Sequence, residues 1–131
     1  MKTVLDMVFL SDLVMVDINL WNKVTNVYNH MLITVDTGAS VTTISTDLLY
    51  KLGYSVSSGQ QRRIITASSV EYVRSVTIDK LRIGGVELNN IEVYAHTFPE
   101  SSFSLGLLGL NVLKNFDMNF LFSKKVIELI H

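Results

Sequence analysis

ITVDTGAS, residues 33–40, is the stretch on which the fold of this chain turns. Met31, Ile33 and Val35 keep the two-residue period of a half-buried strand, and the run stops at Asp36. A strand suited to a core therefore delivers a carboxylate at its end. Gly38 allows a sharp turn that brings backbone N–H groups toward that carboxylate. Such donors would hold it ionised and oriented, and the Ser40 hydroxyl stands where it would add a contact to the outer oxygen. The residues alone fit equally well an Asp36 that only caps a turn.

The rest of the pattern is also short and period-two. Val14, Val16 and Ile18 alternate with Met15, Asp17 and Asn19, and further strands are expected at 63–66, 72–83, 86–96 and 125–130. Gly84-Gly85 between two of these suits a tight hairpin turn. Residues 45–52, STDLLYKL, read as a short helix with Ser45 as cap, Asp47 near its positive end and Gly53 as its stop. A second short helix is expected at 110–116, after Gly109, and Pro99 lies in an expected loop. Neither helix is long enough to stand alone, so both must dock on a sheet. The expected fold is mainly β: one domain over residues 1–131, a partly closed antiparallel β-barrel with one or two short helices.

Composition narrows the function. With 131 residues the chain is large enough for a real core, and 48% apolar residues is ordinary for a globular domain. Eleven basic and twelve acidic residues leave a formal charge of −1, which offers no field for nucleic acid or anionic lipid. Arg62-Arg63 and Lys124-Lys125 are expected at solvated turns or strand ends. The absence of cysteine excludes disulfides, thiol catalysis and thiolate metal sites. Asp6, Asp12 and Asp17 interrupt the apolar N-terminal residues, so neither a signal peptide nor a membrane span is expected, and a cytoplasmic location follows. His30, His96 and His131 have no ligand spacing, so no metal is expected, and no nucleophile elbow supports a serine triad. Trp21 and Tyr28 are expected to pack at a strand or loop boundary. Asp47, Asp79 and Asp117 lack a glycine-turn context.

The run from Leu32 to Ser40 resembles the active-site signature of the aspartic proteases, an apolar strand followed by D-T-G-A-S. Leu107-Leu108-Gly109 resembles the family's second element, and Leu110-Asn111-Val112-Leu113 is similar to the helix after it in small retropepsin-like enzymes, whose single lobe is the whole domain. Bacterial retropepsin-like proteins and the protease domain of the Ddi family share this layout. The resemblance runs from about residue 14 to residue 130 and implies a retropepsin-like acid-protease lobe.

It further implies a homodimeric aspartic endopeptidase that acts on polypeptides without a cofactor. Activating water while protonating a carbonyl requires a base and an acid together. One carboxylate from each subunit, on a two-fold axis, would supply both. On this sequence the resemblance makes Asp36, Thr37 and Gly38 the catalytic loop. Ala39, Ser40, Leu107, Leu108 and Gly109 would support it, with Thr37 bonding across the interface. The flap, a β-hairpin over the substrate, would fall within residues 57–72, with Arg63, Ile64, Ile65, Thr66 and Ala67 against the peptide. This region has Gly59 but no glycine-rich tip, a departure from the viral pattern. A catalytically silent dimerisation or peptide-binding module, or a monomer in which Asp36 stabilises a turn, are the alternatives. In the family the last strand, here within 125–130, contributes to the dimer sheet. The sequence leaves open whether it pairs with a partner or closes its own sheet.

Overall fold

The computed structural model describes residues 1–65, 67–102 and 104–131. Its strands are β1 (Lys2–Asp6), β2 (Val8–Leu10), β3 (Leu13–Asn22), β4 (Val27–Val35), β5 (Thr42–Ser45), β6 (Gln60–Ile65), β7 (Val70–Ile83), β8 (Val86–His96), β9 (Gly106–Leu108), β10 (Asp117–Leu121) and β11 (Val126–Ile130). Two short helices, α1 (Thr46–Lys51) and α2 (Leu110–Leu113), complete the fold. Eight strands form one sheet in the order β2-β3-β4-β9-β5-β8-β7-β6. That sheet curls until β3 meets β7 at Asn19–Arg82 and Leu20–Leu81, which closes the barrel over a short length only. No helix among the described residues is long and apolar enough to cross a membrane.

Local chemistry accounts for most element boundaries. Ser45 caps α1 by accepting the Leu48 N–H at 3.5 Å, Asp47 sits in the first turn, and Gly53 ends the segment at φ +89°. Gly84 and Gly85 both have positive φ and join β7 to β8 in the two-residue hairpin that such backbones favour. α2 ends at Leu113, short of the expected 116. The Asn115 side chain bonds the carbonyls of Val112 at 2.9 Å and Asn111 at 3.3 Å, taking up acceptors that a longer helix would have used. Trp21 and Tyr28 meet edge to face at 5.3 Å, with Lys80 over the first ring and Arg82 over the second. Desolvation, and after it the bonded Glu87 carboxylate, push the Tyr28 hydroxyl up to about 12.

Alternation along the strands builds the core. Val16, Ile18 and Leu20 point inward from β3 and meet Ile33, Ile44, Ile78, Leu81 and Ile83. Met15 departs from the expected pattern: it and its register partner Thr34 are also buried, so this part of the sheet is covered on both faces. The expected antiparallel barrel is mostly that, with two parallel exceptions. β4 runs parallel to β9, and β5 runs parallel to β8. Alternation reports which face of a strand is buried and is blind to its direction.

A second sheet, β1-β11-β10, closes the base of the barrel. Its middle strand carries Ile127 and Leu129, both fully buried, and Lys2 on β1 reaches Glu128 at 3.0 Å. β11 has β1 on one edge and β10 on the other, so the last strand closes its own sheet and has no edge left for a partner strand. A chain ending at Lys125 would lose the strand that holds the other two. Truncating one buried Ile or Leu to Ala costs about 2–5 kcal/mol, and a small domain has only about 5–15 kcal/mol in total. Removal of residues 126–131 is therefore expected to abolish cooperative thermal unfolding followed by circular dichroism. A sharp transition in the truncated chain would contradict this account.

Candidate active site

The site follows from one topological fact: β9 is inserted between β4 and β5, which are consecutive in sequence. Because β4 and β9 are parallel, with Thr34 beside Leu107 and Val35 beside Leu108, their C-terminal ends emerge together. Asp36 and Gly109 thus become neighbours across more than half of the chain. The loop 36–41, which must connect β4 to β5, arches over the end of β9. Asp36 N–H donates to the Leu108 carbonyl at 3.1 Å, extending the strand pairing into the loop.

The arch is fastened from below. Leu110 N–H donates to Ala39 O at 2.8 Å, and Asn111 N–H donates to Ser40 O at 3.1 Å. Thr42, fully buried, accepts the Gly109 N–H on its hydroxyl at 3.0 Å and donates that hydroxyl to Asn111 Oδ1 at 2.9 Å. The same Asn111 oxygen accepts the Thr42 N–H at 2.8 Å, while its Nδ2 donates to Glu92 O at 2.7 Å. The side-chain polar atoms of Thr42 and Asn111 all have partners, the condition under which a buried network fixes a conformation. Gly109 is required by contact: a Cβ there would lie 2.7 Å from the Val41 carbonyl carbon and 2.9 Å from Ala39 O.

Above this support the loop at Asp36 is tightly turned. Gly38 N–H donates to Asp36 Oδ1 at 2.9 Å, and Ala39 N–H donates to Asp36 O at 3.2 Å. The donor expected from the backbone after Asp36 is thus Gly38. Ser40 acts through its carbonyl; among the described residues its hydroxyl makes no bond to Asp36. Thr37 and Gly38 are exposed at the crest, Ala39 is half-buried, and Leu108 is buried beneath.

A cleft of about 420 Å³ lies beside this crest, between it and the β6–β7 hairpin. Its walls include Gly38, Ala39, Ser40 and Leu107 on one side and Arg63, Ile64 and Ile65 on the other. A mostly apolar pocket of about 230 Å³ shares Thr43, Ile64, Tyr94 and Leu107 with it and adds Glu71, Val73, His96 and Phe98. Of the residues expected in the flap, Arg63, Ile64 and Ile65 face the site, Ala67 is exposed in the bend of the hairpin, and Thr66 lies outside the described residues. Arg62-Arg63 are within β6 rather than at a turn. Arg62 pairs with Glu92 at 3.5 Å, and the Arg74 guanidinium donates to Gly59 O at 3.1 Å, so two arginines brace the base of the hairpin. Gly59 belongs to that base, where a Cβ would lie 2.4 Å from Ser75 O.

Sequence reasoning missed Thr42, Asn111, Tyr94, His96 and Phe98. Tyr94 and His96 were accessible from the alternation in β8, because they face away from buried Val93 and Ala95. Asn111 had a weaker signal, an amide among apolar helix residues after a glycine. The other ionisable candidates lie elsewhere: Asp47 in α1, Asp79 in β7, Asp117 in β10, and His30 within 3.4 Å of Asp17.

Removing the Thr42 hydroxyl would leave the buried Gly109 N–H unpaired. Thr42→Val is expected to lower stability by about 1–3 kcal/mol in chemical denaturation, with Thr42→Ser restoring most of it. Equal stability of Thr42→Val and the parent chain would remove the network from this role.

The geometry has counterparts among known proteins. Residues 24–115, well over half of the chain, match the family described as gag-polyprotein putative aspartyl protease. No curated protein matches the sequence. Among solved structures, the fold is similar to the crystal structure of a retropepsin-like aspartic protease from Rickettsia conorii, with a TM-score of 0.68 and 23% identity over 98% of this chain and 89% of that one. With an oriented Asp-Thr-Gly loop at the end of its central strand, this chain belongs to the gag-type aspartyl protease family and has the retropepsin-like fold.

Proposed function

We infer that the protein is an aspartic endopeptidase that works as a homodimer, each chain contributing one retropepsin-like domain and one Asp36. The observation that carries this reading is the Asp36–Gly38 turn, braced on Gly109–Asn111, with Gly38 on the wall of a cleft beside the β6–β7 hairpin. A turn that served only to reverse the chain would need neither the cleft nor the buried network below it. Membership of an aspartyl protease family supports the same chemistry.

One carboxylate per loop fixes the stoichiometry. Hydrolysis of a peptide bond needs a base to take a proton from water and an acid to protonate the carbonyl oxygen. Two Asp36 side chains across a two-fold axis share one proton, because both cannot ionise cheaply at short range. The ionised member takes the water proton as the oxygen attacks the carbonyl carbon. The protonated member gives its proton to the carbonyl oxygen, forming a gem-diol. The carboxyl that took the water proton then passes it to the nitrogen while the other takes a proton back from a diol hydroxyl. The C–N bond breaks to leave an amine and a carboxylic acid. Thr37, exposed beside Asp36, would bond the opposite loop. The apolar walls at Ile64, Ile65, Tyr94, Phe98 and Leu107 suit an extended peptide with apolar side chains near the cut bond.

The test is cleavage of a diverse peptide library between pH 4 and 7 by the parent chain and by Asp36→Asn, with both masses followed by sedimentation. The parent is expected to cleave, and Asp36→Asn to lose about 10²-fold or more of the rate while keeping its dimer. The pH profile should be bell-shaped, since two protonated carboxylates lack a base and two ionised ones lack an acid. Equal cleavage by both proteins would place the chemistry elsewhere. A parent dimer that binds peptides without cutting them would make this a binding module.

A further inference from the structure

We propose that the mostly apolar pocket beside the cleft takes a lysine or arginine side chain of the substrate, and that Glu71 is the residue that selects it. The inference rests on the endopeptidase reading above and narrows its substrates to peptides that carry a basic residue among the apolar ones. At about 230 Å³ the pocket has room for one long side chain. Its lining grades from dry to wet. Val73 is buried, Ile64, Leu107 and Phe98 are half-buried, and Glu71 and His96 are exposed. An apolar recess with a carboxylate at its wet side complements a side chain whose apolar stem ends in a cationic head, and it opposes an acidic one.

Strand register puts Glu71 in that position. It pairs with Ile64 across the β6–β7 hairpin, so the two side chains share one face, and Ile64 lines the cleft and the pocket alike. Among the described residues Glu71 has no ion pair, and Arg62, two positions before Ile64 on the same face, is taken by Glu92. Of the described residues that line the two recesses, Glu71 is the only carboxylate. The cleft carries the opposite charge in Arg63, which repels a basic side chain there. Two adjoining recesses of opposite sign accept a basic residue in one and reject it from the other, so they set the register of the peptide as well as its composition. His96, the other titratable group of the pocket, lies edge to face on Phe98 at 5.0 Å.

The test uses apolar peptides in which one position at a time carries Lys, Arg, Leu or Glu, at pH 7. Cleavage by the parent chain is read as kcat/KM, and binding to Asp36→Asn as fluorescence anisotropy. At least one position is expected to favour Lys or Arg over Leu by about fivefold, with Glu the poorest. Glu71→Gln, made in the parent chain and in Asp36→Asn, is expected to level that preference, and Glu71→Lys to reverse it in favour of Glu. Reversal is a readout that damage to the fold cannot mimic. A preference for base that survives Glu71→Lys overturns the assignment, as does the absence of any base-preferring position in either readout, whether or not peptides are cut. A Glu71-dependent preference in binding without cleavage by the parent supports the pocket and removes the endopeptidase reading instead.

Discussion

The insertion of β9 between β4 and β5 is the constraint on which the rest of the molecule depends. It obliges the loop after β4 to cross over Gly109, and it brings the two glycine-marked segments of the sequence into contact. The crossing leaves backbone donors and acceptors facing one another in a dry place. They are paired through Ala39, Ser40, Thr42 and Asn111, so the turn that presents Asp36 is held by main-chain bonds rather than by the packing of its own exposed side chains. A carboxylate oriented in this way has little freedom left to lose, the condition that the proposed chemistry requires of Asp36.

The same network ties the loop to the hairpin above the cleft. Asn111 reaches Glu92 through its main chain, and the Glu92 carboxylate takes the Ser75 hydroxyl at 2.6 Å and the Arg62 guanidinium at 3.5 Å. Contacts therefore run without a break from α2, under the turn, to the base of the β6–β7 hairpin. The base is braced by charge and by backbone contact at Gly59, while Ile65, Val70 and Tyr72 nearer its tip are exposed apolar residues.

The two ends of the barrel have different fates. One is sealed by β1, β10 and β11 with Ile127 and Leu129 inside. At the edge of that seal the apolar face continues outward through Phe120 to Phe122 and Phe9.

Much of this was legible without coordinates, because it is written in local chemistry. Period-two alternation gave the long strands, the Gly84-Gly85 hairpin needed two positive φ values, and Ser45 with Gly53 bounded the first helix. Asp-Thr-Gly after an apolar strand marked the turn, and Leu-Leu-Gly marked its support. What the sequence could not express is direction and adjacency. The parallel pairing of β4 with β9 depends on where a distant strand inserts, and alternation is the same whichever way a strand runs. The roles of Thr42 and Asn111 arise only once Gly109 is under the loop, and the enclosure of β11 between two neighbours is a property of the whole sheet. By itself the sequence determined which residues turn, cap and alternate, since those depend on neighbours in the chain. Only the tertiary structure decided which of them meet, since contacts between distant segments are set by how the core closes.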